Sequence, residues 1–319
     1  MMLRLLFFGT PGFAVPSLAA LAASRHTVVG VVTQPDRRRG RGHRIAPEAV
    51  KRAAIAHGLP VLQPDRLDEA AFLAAVADLR ADLGVVAAFG RILPRHLLDA
   101  PRLGLINVHA SLLPRWRGAA PVHRAILAGD TRTGVTIMQL VEALDAGPIL
   151  LAEETAIGPD ETSVELSDRL AIAGASLLLR AINLLAAGAA RERDQDDASA
   201  TYAPRLVRSE GRLDWGRPAP VVHDHIRGLQ PWPMAGAVLH GHRVHFLRSA
   251  VASTEVASAS SGTIVAIEPD ALVIAARPGA VRITEVQPEG RRAMTVRAFL
   301  GGRHVAVGDR LAPLPVDGP

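Results

Sequence analysis

Asn107 and His109 stand two residues apart in the stretch INVHASLLPRWRGAAP, at the end of an apolar run that is typical of a buried strand. Side chains at positions i and i+2 of a strand point to the same face of the sheet. An amide and an imidazole would therefore project together from one strand end. A single histidine in such a place is more often a satisfied core residue, but two polar groups together indicate a site.

A third polar candidate, Asp145, follows the predicted strand GVTIMQL in the loop EALDAGPIL. If the two strands are parallel, their C-terminal loops meet at one edge of the sheet, and we expect Asp145 to lie beside His109. An Asn-His-Asp set without the serine or cysteine nucleophile of a hydrolase triad favours acyl transfer to an external nucleophile. The protein would then polarise the reacting carbonyl and form no covalent intermediate.

The composition is that of an ordinary globular chain, with 319 residues, 49% of them apolar and 21% charged, which suffices for two domains. The chain contains no cysteine, which excludes disulfides, zinc-thiolate sites and thiol catalysis. The net charge is +5, and Lys51 is the only lysine, so the positive charge is almost entirely arginine. We expect neither a signal peptide nor an apolar run long enough to cross a bilayer, and hence a cytoplasmic protein.

Residues 1–189 alternate short apolar runs with segments of helical spacing. The runs RLLFFG, TVVGVVT, LGVVAAF, GLINVH and GVTIMQL predict buried strands. This alternation predicts an α/β domain with a mostly parallel, Rossmann-like sheet, which would bind its ligands at the carboxyl ends of the strands. A long amphipathic helix in TSVELSDRLAIAGASLLLRAINLLAAG would close this catalytic domain.

The composition changes after Gly188. Residues 190–207 are polar, of mixed charge and without periodicity, which predicts a linker. Residues 208–319 contain short β-rich runs separated by Gly, Pro and Asp turns, which predict a smaller, OB-like β-barrel domain.

Arginines cluster in the stretch DRRRGRGHR, between a predicted strand and a helix that starts near Pro47. A charge run of this kind is usually a solvated loop, and the alternative is a loop that becomes ordered on RNA phosphates. A second set in the C-terminal half is either plain surface or an RNA-facing patch. The first set is Arg37, Arg38, Arg39, Arg41 and Arg44, and the second is Arg243, Arg248, Arg291, Arg292, Arg297 and Arg303.

The stretch NVHASLLPRWRGAAPVHRAILAGDTRTGVTIMQLVEALDAG resembles the methionyl-tRNA formyltransferase family, within the wider set of enzymes that use 10-formyltetrahydrofolate. The likeness continues in GTPGFAVPSL, VVGVVTQPDRRRGRG, GLPVLQP, FGRILP, ATYAPRL and PWP, so it covers nearly the whole chain. The His-Ala pair favours this branch over the glycinamide ribonucleotide branch, which has His-Pro. Gly12 departs from the family, which usually has an acidic residue there.

The resemblance implies formyl transfer from 10-formyltetrahydrofolate to the α-amino group of methionyl-initiator-tRNA. It implies a monomer that needs neither a metal nor a membrane. The family's catalytic trio falls on Asn107, His109 and Asp145. The amide of Asn107 and a protonated His109 would donate hydrogen bonds to the formyl oxygen, and Asp145 would orient His109.

The resemblance also implies where the two substrates bind. The arginine loop would hold the acceptor end of the tRNA, with Arg41 as its principal residue. For Ile92 and Leu93, core packing is the alternative to a folate contact. The implied folate contacts are Ser111, Leu112, Leu113, Pro114, Arg91, Ile92, Leu93, Val141 and Glu142.

Two other functions remain open. One is a folate-dependent formyltransferase for a small amine, such as a nucleotide or an amino sugar. The arginine loop and the region from ATYAPRL to PWP count against it, because such enzymes need neither. The other is an RNA-binding protein with a degenerate catalytic domain, and the intact set of Asn107, His109 and Asp145 counts against that.

Overall fold

The structure is a computed structural model that describes residues 1–39, 44–253 and 259–315. The chain divides into two compact units. The first comprises Met1–Pro121, Thr133–Thr155 and Ser167–Ala203. The second comprises Val122–Arg132, Ala156–Leu166 and the chain from Pro204 onward. Two short internal segments thus group with the C-terminal residues. The predicted division at residues 189 and 208 assigned both segments to the first domain.

The first unit is built around a mostly parallel sheet in the order β10-β9-β7-β6-β1-β2-β5, which confirms the predicted Rossmann-like class. The neighbours from β5 to β7 pair in parallel. The strands up to Ala203 are β1 (Arg4–Gly9), β2 (Thr27–Val32), β3 (Arg37–Arg39), β4 (Arg44–Ala46), β5 (Val61–Leu62), β6 (Leu83–Ala87), β7 (Leu105–His109), β8 (Arg117–Gly118), β9 (Arg132–Gln139), β10 (Ile149–Ala156) and β11 (Tyr202–Ala203).

One neighbour in this sheet runs the other way. β9 pairs with β7 in an antiparallel register, with Thr136 opposite His109 and Gln139 opposite Ile106. The condition on which Asp145 was expected beside His109, that these two strands are parallel, is therefore not met. An apolar run such as GVTIMQL is buried equally well in either direction, so its composition does not reveal the direction of pairing.

The helices of this part of the chain are α1 (Val15–Ala22), α2 (Ala49–Ala56), α3 (Ala70–Asp78), α4 (Arg95–Leu98), α5 (Pro121–Leu127) and α6 (Ser163–Ala186). α6 packs closely on the sheet at Gly174, where an added Cβ would lie 2.8 Å from Cγ1 of Val108 and 3.3 Å from Cγ1 of Val135. One face of α6 is buried, including Leu170, Leu177 and Leu178.

By length and composition alone, α6 is long and apolar enough to cross a membrane. The expectation that no run in the chain reaches that length was therefore wrong. A core helix that packs against a sheet can pass the same test, and 44% of the most apolar window of α6 is buried within the protein. We interpret α6 as such a packing helix, because Gly174 brings it against Val108 and Val135.

The predicted linker, residues 190–207, does not behave as a free connection. Arg193 forms an antiparallel bridge with Ile149, and β11 pairs in parallel with β8. A short 3-10 helix, Asp197–Ser199, lies between these two pairings. Residues up to Ala203 therefore belong to the first unit. Backbone and side-chain hydrogen bonds hold this segment in place. Within residues 190–207, all of them described, it has no buried apolar face, and its sequence is therefore aperiodic.

The second unit contains an antiparallel sheet in the order β14-β15-β16-β13-β12-β18, with β17 against β16. This half-barrel is consistent with the predicted OB-like domain. A core that includes Trp215, Phe246 and Phe299 is buried within it. Its elements are a 3-10 helix (Arg208–Gly211), α7 (Ala219–Gly228), β12 (Gly236–Leu239), β13 (His242–Ala252), β14 (Ile264–Glu268), β15 (Ala271–Ala275), β16 (Ala280–Pro288), β17 (Met294–Thr295), α8 (Val296–Leu300) and β18 (Ala312–Pro313).

Candidate active site

His109 is the last residue of β7 and is buried, and both of its ring nitrogens face a partner. Nε2 lies 2.9 Å from the backbone carbonyl oxygen of Trp116. Because a carbonyl can only accept, Nε2 must carry the proton of this hydrogen bond. Nδ1 lies 3.6 Å from Oδ2 of Asp145. If His109 were protonated, Nδ1–H would point toward this carboxylate.

Asp145 reaches His109 through its loop, since the direction of β9 carries the chain away from the end of β7. After β9 ends at Gln139, the loop 140–148 returns to the site, and Asp145 adopts a left-handed conformation with φ of 48°. The backbone N–H of Gly118, in β8, donates to Oδ2 of Asp145 over 2.8 Å. The predicted meeting of Asp145 with His109 is thus present, but it is produced by a returning loop and a backbone donor.

Asn107 lies two residues before His109 in the same strand, and the register places it opposite Val86 of β6 and Met138 of β9. It is buried, with 9% of its surface exposed. Its side chain forms no hydrogen bond within residues 1–39, 44–253 and 259–315, whereas both nitrogens of His109 face partners. Asn107 therefore offers an unused amide donor at the edge of the site.

The turn SLLP after β7 is fastened to β9 through Thr136. The hydroxyl of Thr136 donates to the carbonyl oxygen of Ser111 at 2.7 Å and accepts from the backbone N–H of Leu113 at 3.2 Å. The hydroxyl of Ser111 donates to the carbonyl oxygen of Arg115 at 2.6 Å. Leu113 packs with Met138. Leu112 and Pro114 are half-buried, so they are the two residues of the turn whose side chains remain open to a ligand.

The loop that follows β6 is held from its two ends. The carbonyl oxygen of Phe89 accepts a hydrogen bond from Nε2 of Gln34 at 2.8 Å and from the hydroxyl of Thr10 at 3.3 Å. The guanidinium of Arg91 donates to the carbonyl oxygens of Pro64 and Asp65, so both of its terminal nitrogens are engaged within the protein.

The structure separates the two apolar residues of this loop. Leu93 is buried in the hydrophobic core with Phe89, as the packing alternative expected. Ile92 is 87% exposed. Of this pair, Ile92 is thus the side chain available to a ligand, whereas Leu93 can contribute only its backbone.

Val141 and Glu142 lie in the loop that carries Asp145, and both are exposed. Oε1 of Glu142 lies 3.7 Å from the guanidinium of Arg95, a surface ion pair. Leu144, which is not among the predicted site residues, is 57% exposed beside Asp145. Exposed apolar residues at Ile92, Val141 and Leu144 mark these loops as a surface suited to a flat, partly apolar ligand.

Within the arginine-rich segment, β3 and β4 pair as a two-stranded antiparallel ribbon, with Arg39 opposite Arg44. Arg41 lies outside the described residues. At the foot of the ribbon, Asp36 accepts hydrogen bonds from Nζ of Lys51 at 2.6 Å and from Nε2 of Gln63 at 3.0 Å. These bonds, with that of Lys51 the strongest, hold the pKa of Asp36 below its usual range.

The arginines of the second unit differ in their surroundings. Arg248 is bound to Glu165 at 2.9 Å, so its charge is largely neutralised. The guanidinium of Arg303 lies 5.2 Å from the ring of Phe299. Arg243 is half-buried, and the four that are exposed are Arg291, Arg292, Arg297 and Arg303.

Two residues at the site were not predicted from the sequence. Gln195, within the predicted linker, donates through Nε2 to the carbonyl oxygens of Asp145 and Gly147, both at 2.8 Å. Arg117 is buried and donates to Oε1 of Gln195. The position of Arg117 inside the RWRG stretch could have indicated a buried ion pair. Gln195 lies in a polar, aperiodic segment, where no sequence pattern indicated its role.

Within the described ranges, no group of three or more His, Asp and Glu side chains could hold a metal ion. The two histidines of HDHIRG are each engaged within the second unit. His223 lies 2.8 Å from the hydroxyl of Ser249, and Nε2 of His225 lies 2.6 Å from the carbonyl oxygen of Glu210. Both are structural.

The sequence matches two family models, described as formyl transferase over residues 3–182 and formyl transferase, C-terminal domain, over residues 205–304. A protein of Moorella thermoacetica named methionyl-tRNA formyltransferase is 45% identical over 309 residues. The match covers 97% of this chain and 99% of that relative. The similarity thus extends over both units.

Two solved structures are similar in fold at low sequence identity. An N-formyltransferase from Helicobacter canadensis, in complex with folinic acid and dTDP-3-aminofucose, has a TM-score of 0.69 at 16% identity and covers 90% of this chain and 100% of its own. HypX from Aquifex aeolicus, in complex with tetrahydrofolic acid, has a TM-score of 0.67 at 17% identity. The match covers 94% of this chain and 47% of HypX.

Proposed function

We propose that this chain, which belongs to the methionyl-tRNA formyltransferase family, transfers the formyl group of 10-formyltetrahydrofolate to the α-amino group of methionyl-initiator-tRNA. The observation that carries this proposal is the 45% identity to a methionyl-tRNA formyltransferase over 97% of the chain. The site geometry supports it, because a buried His-Asp pair lies beside an unpaired buried amide.

The reaction requires little activation of its nucleophile. The amino group of an aminoacyl ester is largely free amine near neutral pH, and its lone pair attacks the formyl carbon. A C–N bond forms, the formyl oxygen becomes negative, and the bond from the formyl carbon to N10 of the folate then breaks. The amine loses one proton and N10 gains one, so the exchange is balanced without an outside reagent.

The chain's own residues would stabilise the negative formyl oxygen. The amide of Asn107 is the donor that needs no rearrangement, because its side chain is unpaired in the described part of the chain. The second donor to the formyl oxygen would be the Nε2–H of His109, which donates to the Trp116 carbonyl oxygen in this structure. We infer that Nε2–H exchanges its acceptor during the reaction, from the Trp116 carbonyl to the formyl oxygen, while Asp145 stays beside Nδ1 and orients the ring.

A folate co-substrate fits the loops around the trio. The family membership and the tetrahydrofolic acid bound by HypX support a folate, and the 10-formyl form is part of our proposal. Ile92, Val141 and Leu112 offer the open apolar side chains, and the backbones of Arg91, Leu93 and Glu142 offer hydrogen-bonding groups along the same loops. Ser111, Leu113 and Pro114 would shape the turn on which the folate lies.

The tRNA would be held by positive charge in both units. We propose that Arg37, Arg38, Arg39, Arg41 and Arg44 contact its phosphates near the acceptor end. The exposed arginines of residues 208–319 would add contacts farther along the RNA. In this proposal residues 1–189 carry the catalytic trio, and residues 190–207, which pack on the first unit as far as Ala203, lead to the second domain. The protein would act as a cytoplasmic monomer, without a metal or a membrane.

A small-amine acceptor is the second candidate. The sugar-related N-formyltransferase of Helicobacter canadensis shares the fold, at 16% identity, whereas the relative named for methionyl-tRNA is 45% identical across both units. The higher identity favours the tRNA acceptor.

An acceptor panel tests the proposal. The wild-type protein and 10-formyltetrahydrofolate would be incubated with initiator methionyl-tRNA, elongator methionyl-tRNA and a nucleotide-linked amino sugar. We expect formylation of the initiator alone. Formylation of the amino sugar without either tRNA would replace this proposal by the small-amine alternative.

A further inference from the structure

Gln195 connects a buried arginine to the loop that carries Asp145. Its Nε2 donates to the carbonyl oxygens of Asp145 and Gly147, each over 2.8 Å. Its Oε1 accepts from Nε of Arg117 at 3.0 Å and from Nη2 at 2.9 Å. One half-buried amide therefore uses both of its ends, the donor on the loop and the acceptor on the guanidinium.

Arg117 supplies the fixed end of this connection. It is 4% exposed, and its Nη2 also donates to Oδ1 of Asp197 at 2.7 Å. It lies in β8, which pairs with β11 through Tyr202 and Ala203. These three hydrogen bonds hold the buried guanidinium in one orientation, because breaking any of them would leave a buried N–H donor of a charged group without an acceptor.

The loop around Asp145 has few other anchors. Val141, Glu142, Ala143 and Leu144 are all exposed. Asp145 itself has a φ of 48°, a conformation that a non-glycine residue keeps only when its surroundings impose it. The side chain is bound by the Gly118 N–H and the carbonyl by Gln195, so β8 and Gln195 fix Asp145 from two sides.

We propose that Gln195 is a positioning residue for formyl transfer, which holds Oδ2 of Asp145 against Nδ1 of His109 by bonding the Asp145 and Gly147 carbonyls to Arg117. The expected effect on the rate of formyl transfer rests on the proposed function. The expected displacement of Asp145 does not depend on it. A displacement of about 1 Å at a catalytic group can lower a rate by ~10²-fold.

Gln195→Glu distinguishes the role of the amide's donor end from that of its acceptor end. A carboxylate keeps the acceptors for Arg117, so the buried guanidinium stays paired and the fold is retained. It has no N–H, so the carbonyls of Asp145 and Gly147 lose their donor and face a negative charge. Gln195→Ala removes both ends and should add a lower unfolding temperature to the same kinetic effect.

The test combines kinetics with hydrogen exchange. In Gln195→Glu we expect the single-turnover rate with methionyl-tRNA to fall ~10²-fold, with the KM for that tRNA unchanged and the unfolding temperature lowered less than in Gln195→Ala. The Gly118 amide should exchange faster, because its acceptor Asp145 is displaced. The matched control is Asp194→Ala, at an exposed neighbour that has no bond within the described part of the chain.

The outcomes separate this inference from the proposed function. If wild type formylates methionyl-tRNA and Gln195→Glu matches it in rate and in Gly118 exchange, the positioning role is wrong. Equal losses in Gln195→Glu and Asp194→Ala would also overturn it. If wild type formylates no methionyl-tRNA, the proposed function fails, and faster Gly118 exchange in Gln195→Glu still supports the positioning of Asp145.

Discussion

The backbone N–H of Gly118 donates to Oδ2 of Asp145 over 2.8 Å, and that same oxygen lies 3.6 Å from Nδ1 of His109. Gly118 belongs to the RWRG stretch, which follows β7, whereas Asp145 belongs to the loop that follows β9. One carboxylate oxygen of the loop after β9 thus contacts both β8 and the imidazole at the end of β7. The side-chain geometry of the site depends on this contact.

Gly118→Ala should disturb the contact directly. Gly118 has a φ of 123°, and an added Cβ would lie 2.8 Å from the carbonyl oxygen of Ala203, a backbone atom that cannot swing away. We expect the single-turnover rate to fall ~10²-fold and the free energy of unfolding to fall by about 1–3 kcal/mol. Gly12→Ala, where nothing lies within 4 Å of the added atom, is the control for stability. Equal rates in wild type and Gly118→Ala would remove Gly118 from the account.

Asn107→Ala should lower the rate without destabilising the protein. Its side chain is buried but unpaired in the described ranges, so truncation removes a donor for the formyl oxygen and breaks no hydrogen bond of the fold. Loss of one such donor typically costs ~10²–10³ in rate. Single-turnover kinetics and urea unfolding check the two halves of the prediction. A large loss of stability with an unchanged rate would identify Asn107 as a structural residue.

Lys51→Met should weaken the use of tRNA without affecting the folate. Nζ of Lys51 bonds Asp36 at the foot of the arginine ribbon, at 2.6 Å. Its loss leaves Gln63 as the remaining side-chain donor to Asp36 among the described residues, so that end of the ribbon is held less firmly, and we expect a raised KM for methionyl-tRNA with kcat unchanged. Arg41→Ala should act in the same direction and reduce the salt dependence of binding by about one phosphate contact. A raised KM for 10-formyltetrahydrofolate in either variant would argue against a role confined to RNA.

Glu165 should make stability depend on pH in acid. Hydrogen bonds from Arg248 first, then from Thr162, lower the pKa of Glu165 from 4.5 to about 2. A carboxylate with a lowered pKa stabilises the folded state above its unfolded pKa, and this contribution is lost as the pH falls from 4.5 to about 2. Both side chains are more than 40% exposed, so we expect only about 1 kcal/mol.

Urea unfolding of wild type and Glu165→Gln checks this prediction. The variant should be less stable near neutral pH, and the two curves should converge as the pH approaches 2. A constant difference across this window would mean that the ionised form of Glu165 contributes nothing. Thr162 and Glu165 also form a capping box at the start of α6, so an unchanged helix content is part of the control.

Five strands of the first sheet, β1, β2, β6, β7 and β9, were predictable because each is a short apolar run. RLLFFG coincides with β1, and the run GLINVH ends with β7 at His109. β10 was missed, because half of its residues are exposed and it includes Glu153 and Glu154. Apolar composition reports burial, and it is silent where a strand lies at the exposed edge of a sheet.

The trio was predicted from residue types and from the family resemblance, but its geometry was not. The antiparallel direction of β9, the left-handed turn at Asp145 and the Trp116 carbonyl on His109 all depend on tertiary contacts. Gln195 could not be recognised for the same reason, because its two partners, Arg117 and Asp145, are 78 and 50 residues away in sequence. Local patterns carry no information about such contacts.

The most direct test of the proposed catalytic site is single-turnover formyl transfer from 10-formyltetrahydrofolate to initiator methionyl-tRNA, with wild type and His109→Ala side by side. We predict rapid transfer by wild type and a loss of at least ~10²-fold in the variant, because His109 supplies a donor to the formyl oxygen. Transfer at equal rates by the two proteins would contradict the assignment of His109, Asn107 and Asp145 as the catalytic site.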